Sequence, residues 1–91
     1  MSDSGWRVDL APAAQRQLRK LPPDATARAR GPILALSRDS RPPGSVALTG
    51  SPFWRIRVGD LRIVYAIDDG ARTVVVLRVV RRNESTYRRV R

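Results

Sequence analysis

The sequence contains no cysteine and no histidine. The first absence rules out a disulfide framework and any thiolate metal site. The second removes both the usual general base near neutral pH and the commonest metal ligand. Lysine is nearly missing as well: of 18 basic residues, all but Lys20 are arginine. Acidic residues are scarce, 8 against those 18, which leaves a net charge of +10. No run approaches the ~20 consecutive apolar residues of a membrane span. The first residues lack the basic-then-apolar pattern of a signal peptide. Together these absences describe a cytoplasmic protein without metal or other cofactor, away from the membrane. Any enzyme chemistry must rest on arginine, tyrosine, Lys20 and a few carboxylates. At 91 residues the chain has room for one domain, spanning residues 1–91, with a small core.

The abundant residue is arginine. A coding bias explains the preference for arginine over lysine, but not an excess of ten positive charges. Arginine presents a planar fork suited to phosphate, carboxylate and base stacking. The charge therefore points to a polyanion or an acidic protein partner.

The chain is organised around Trp54 to Val80. Trp54-Arg55-Ile56-Arg57-Val58 alternates with period two, which predicts a half-buried strand with Arg55 and Arg57 on one face and Ile56 on the other. Gly59-Asp60 reads as a turn and Leu61 to Ile67 as a second strand. Asp68-Asp69-Gly70 reads as the next turn, not a metal site, because two adjacent carboxylates lack a third ligand. Thr73 to Val80, rich in β-branched residues, is a third strand. Antiparallel pairing would bring Arg55, Arg57 and Arg62 together. Arg78, Arg81, Arg82 and Tyr87 leave the end of the third strand.

Upstream, Trp6 to Leu10 alternates and predicts a first strand. Pro12 opens a helix to Lys20, with Ala14, Leu18 and Leu21 on its buried side. Pro22 and Pro23 end it. A second helix runs from about Pro23 to Ser37, with Asp24 in its first turn favouring the helix dipole. Gly31-Pro32 predicts a kink or short break in its middle. Arg38 to Pro52 is a loop by composition, with a short edge strand around Val46 and Leu48. Asn83 caps a last short helix, Glu84 to Val90. Trp6, Trp54 and Tyr65 are assigned to packing. The predicted fold is α+β: a small antiparallel sheet with two N-terminal helices on one face, a short C-terminal helix, and the arginines on the open face.

Trp54 to Tyr65, followed by Arg81-Arg82-Asn83-Glu84-Ser85-Thr86-Tyr87-Arg88, resembles the RelE toxins of bacterial type II toxin–antitoxin pairs, within the RelE/ParE superfamily. The resemblance covers Trp6 to Arg89. It implies a ribosome-dependent mRNA endoribonuclease, an mRNA interferase, working in the decoding site without a metal. It matches Arg55 and Arg57 to two basic positions that are lysine in some relatives. It matches Arg62 to an arginine of the next strand, Arg81 or Arg82 to the arginine after the last strand, and Tyr87 to a near-terminal tyrosine. These form the implied catalytic set, with Arg78, Arg88 and Arg89 touching mRNA or ribosomal RNA. The implied partner is a RelB-like antitoxin. A ParE-like inhibitor of DNA gyrase and a catalytically silent antitoxin-binding relative are the alternative functions within the same fold.

Overall fold

The Gly59-Asp60 pair sits in a tight hairpin, and the rest of the sheet builds outward from it. Gly59 has φ of 59°, a left-handed conformation that costs glycine little and that two-residue hairpins require. It joins β3 (Phe53–Val58) to β4 (Leu61–Asp68), paired antiparallel from Val58↔Leu61 to Phe53↔Ala66. The computed structural model describes residues 5–81. The predicted helix from Glu84 to Val90 lies outside them.

β5 (Thr73–Arg81) pairs antiparallel with β4. β1 (Arg7–Leu10) then joins β5 in parallel, and β2 (Val46–Ala47) adds a short edge on β3. The strand order is β1-β5-β4-β3-β2, so the sheet is antiparallel except at β1. The two helices carry the chain across one face from β1 at one edge to β2 at the other, and the hairpins then bring it back to β5 beside β1.

α1 (Pro12–Lys20) and α2 (Pro23–Ala35) pack on that face, α1 against β5 and α2 against β3. Their buried residues are mostly small: Ala14, Ala25 and Ala29 are fully buried. Opposite them lie Ile56, Leu61, Ile63, Tyr65, Val74, Val76 and Val79. Each large apolar side chain removed from water there contributes roughly 1.5–3 kcal/mol. Trp6, Trp54, Leu18 and Leu21 pack half-buried around this cluster.

α2 continues through Pro32 without the short break that was one of the two expected outcomes, a kink being the other. The residue before a proline is normally pushed out of the helical region by its own Cβ. Here that residue is Gly31, which has none, so this clash is absent, although the Pro32 amide bond is still forfeited and its ring still crowds the carbonyl four residues back.

One irregularity in the sheet decides where the charges go. Val64 pairs with Arg78 but Tyr65 pairs with Val76, so Leu77 is an extra residue, a β-bulge. It reverses the alternation along β5. Val74 and Val76 face the helices before it and Val79 after it, all buried, while Arg78 and Val80 turn to the open face. Beyond Val76, where β1 ends, α1 protects the exposed edge: the Val79 amide donates to Gln17 Oε1 at 2.7 Å.

Candidate nucleic-acid interface

The pleat places side chains in rows across the open face. Arg57 stands opposite Arg62, with Val80 next in line. Arg55 stands opposite Val64, which in turn faces Arg78, with Val46 on the outer side of Arg55. Strands lie about 4.8 Å apart, so Arg55 and Arg78 bracket Val64 at about 10 Å. Arg55, Arg57 and Arg62 are brought together as their alternation predicts, and the Leu77 bulge adds Arg78.

No carboxylate lies within ion-pair distance of Arg55, Arg57, Arg62 or Arg78 among the described residues, although Arg7, Arg41 and Arg81 each have one and Arg28 has two. Arg57, Arg62 and Arg78 are exposed. The Arg55 Nε is buried and finds no acceptor among the described residues. Like charges directly opposite one another across strands are destabilising. A buried unsatisfied donor costs about 1–3 kcal/mol. The face is thus a concentration of uncompensated positive charge, fixed on strands rather than on a loop.

Arg81 lies elsewhere. Its partner in register is Leu61, on the helix side of the sheet. There its Nε donates to Asp60 Oδ2 at 2.8 Å, and Arg28 from α2 approaches the other oxygen at 3.3 Å. The hydrogen bond from Arg81 holds the Asp60 carboxyl below the ordinary carboxylate range. Asp60 in the hairpin turn thus ties β5 through Arg81 and α2 through Arg28, and Arg81 does not share the open face. Arg82, Tyr87, Arg88 and Arg89 lie outside the described residues.

A cleft beside the turn, lined by Arg57, Gly59, Asp60, Leu61 and Arg62, encloses about 20 Å³. That is enough for one water or one anion oxygen, so the arginine face is an open surface rather than a nucleotide-sized pocket. Among the described residues no three His, Cys, Asp or Glu side chains converge as a metal centre would require, and no helix is long and apolar enough to cross a membrane.

Arg41, in the loop before β2, drew no attention in the sequence. Its guanidinium donates to both Asp69 oxygens at 3.2 and 3.1 Å and lies 5.1 Å from the Trp54 ring centre. The Asp69 hydrogen bond raises the Arg41 pKa, and the same bond lowers that of Asp69. Beside it the buried Tyr65 hydroxyl donates to the Ser40 carbonyl at 2.9 Å, and burial pushes the phenol pKa up. These contacts pin the long loop to the sheet. The turn expected at Asp68-Asp69-Gly70 begins at Asp69, with Asp68 the last residue of β4: Asp68 accepts from the Ala71 amide while Asp69 holds Arg41.

A small mostly antiparallel sheet thus carries two helices on one face and arginines on the other. Residues 8–86 match the family described as ParE toxin of type II toxin-antitoxin system, parDE, and the chain belongs to it, within the RelE/ParE superfamily. Among solved structures it is similar to a chain of the toxin–antitoxin complex RelBE2 from Mycobacterium tuberculosis. That match has 32% identity and a TM-score of 0.74 over 86% of this chain and 99% of that one. A chain of the Escherichia coli RelBE toxin–antitoxin complex matches at 21% identity and TM-score 0.75, over 86% and 98%. The YoeB/ParE toxin from Agrobacterium tumefaciens matches at 13% identity and TM-score 0.71, over 85% and 99%. No curated protein matches the sequence.

Proposed function

We propose that this toxin is a ribosome-dependent mRNA endoribonuclease, held in check by a RelB-like antitoxin. The observation that carries the reading is the set Arg55, Arg57, Arg62 and Arg78: four guanidinium groups on one sheet face with no carboxylate partner among the described residues. Such a face suits a polyphosphate backbone.

The reaction is attack of a ribose 2′-hydroxyl on the adjacent phosphate, giving a cyclic phosphate and a free 5′-hydroxyl. Arg57 and Arg62 grip the phosphate and stabilise the charge that grows on its equatorial oxygens. Arg55 and Arg78 hold the flanking backbone, so the nucleophile is presented in line. Arginine stays protonated, so none of the four removes the 2′-hydroxyl proton. That task falls to Tyr87 or to a ribosomal group. With Arg81 tied to Asp60, stabilisation of the leaving oxygen falls to Arg82. Arg88 and Arg89 add contacts to ribosomal RNA. Removing one such donor typically costs 10²–10³ in rate.

The antitoxin reading draws on the similar RelBE chains, whose structures are toxin–antitoxin complexes. A second reading, inhibition of DNA gyrase, draws on the ParE description under which residues 8–86 match. Induced expression followed by mapping of mRNA 5′-ends separates the two. Breaks within translated codons are expected. A DNA-damage response with intact mRNA would favour gyrase instead.

A further inference from the structure

Phe53 begins β3 on the same face as Arg55 and Arg57, at alternating positions of one unbroken pairing with β4. It is the chain's one phenylalanine, and 36% of it is exposed. The other described aromatic rings are engaged. Trp6 lies under Arg72 at 4.9 Å and Trp54 under Arg41 at 5.1 Å. Tyr65 is fully buried and hydrogen-bonded. Across the strand from Phe53 stands Ala66, followed by Val75. The ring therefore stands beside a low apolar floor, one pleat from the first guanidinium.

Cations at alternating positions along a strand that also presents an aromatic ring on the same face are what proteins use to hold single-stranded nucleic acid, the cations on phosphates and the ring on an unpaired base. We propose that Phe53 is the stacking platform for an unpaired base flanking the phosphate held by the arginines, so that this face takes a single strand rather than a duplex. The proposal rests on the reading of the arginine face as a nucleic-acid surface. It adds a contact that the charge pattern alone does not supply. A duplex keeps its bases stacked on one another and offers the ring nothing.

The test uses the purified full chain and two labelled hexanucleotides, one of oligoadenylate and one of abasic ribose phosphate with the same charge. Fluorescence anisotropy at low salt gives both affinities. The parent protein should prefer the base-bearing strand by about 5-fold or more, the low end of base–aromatic stacking. Phe53→Leu, which keeps an apolar strand residue, should bring the two affinities close to parity, and Phe53→Trp should restore the preference. Circular dichroism confirms that the variants fold. No preference in the parent, or an unchanged preference in Phe53→Leu, overturns the assignment of Phe53 alone. If the double variant Arg57→Gln/Arg62→Gln leaves both affinities unchanged, the arginine face is not the nucleic-acid surface and the broader reading falls with it.

Discussion

Replacing Arg62 by glutamine should make the protein more stable and less toxic at once. Arg62 and Arg57 are directly opposed on β4 and β3, with Cβ atoms about 4.5–5.5 Å apart. Heads about 6 Å apart in a water-like dielectric repel by about 0.7 kcal/mol. Measured cross-strand pairs span about 0.2–1 kcal/mol. No carboxylate among the described residues offsets this repulsion. Removing one charge should therefore raise stability by a few tenths to about 1 kcal/mol, and Tm by roughly 1–8 °C in a chain of this size. The gain should shrink at high salt, which screens the repulsion in the parent. Cleavage should fall by about 10²–10³-fold. Thermal unfolding at low and high salt, with a growth assay of the expressed variant, gives both readouts. A variant that is less stable than the parent would mean that Arg62 is a structural residue. A more stable variant that is equally toxic would remove it from the site.

Tyr65→Phe strands the Ser40 carbonyl that the hydroxyl now satisfies; it should cost about 1–3 kcal/mol in urea unfolding, and no loss would mean that water replaces the bond freely. Asp60 and Asp69 are held below their ordinary pKa by hydrogen bonds from Arg81 and Arg41. Their contribution to stability is therefore present above the unfolded value, about 3.9, and is lost as pH falls below it towards the folded values. Tm of the parent should drop over that acid window, and Asp60→Asn/Asp69→Asn should flatten the drop; an identical acid limb would contradict the ion-pair account. Pro32→Ala restores an amide donor inside the unbroken α2 and should raise stability by up to about 3 kcal/mol. A loss in that variant would show that the proline ring packs productively.

The strands were legible because their chemistry is local. Arg55-Ile56-Arg57 and Leu61-Arg62-Ile63 alternate with the pleat, and the glycine turn between them fixes which arginines meet. Pro12 and Pro23 likewise mark helix starts that the fold uses. The continuous apolar run Val74-Val75-Val76-Leu77 hid the bulge, since no polar residue within it reports which face each side chain takes. The position of Arg78 on the open face was therefore not readable, although its charge was. The Arg81–Asp60 and Arg41–Asp69 contacts join residues 21 and 28 positions apart. Ion pairs at such separations leave no periodic trace. Gly31-Pro32 gives no short break because the glycine lacks the Cβ that a following proline would crowd, a compensation that neither residue shows alone.

The central claim is that the arginine face cleaves RNA on the ribosome. Purified full-length protein added to ribosomes carrying a defined mRNA, with ribosome-free mRNA alongside, tests it most directly. The account predicts cleavage only on ribosomes, a cyclic phosphate on the upstream fragment and a 5′-hydroxyl on the downstream one, and loss of both products with Arg57→Gln/Arg62→Gln. Intact mRNA on ribosomes, with DNA supercoiling by gyrase inhibited by the same preparation, would contradict it.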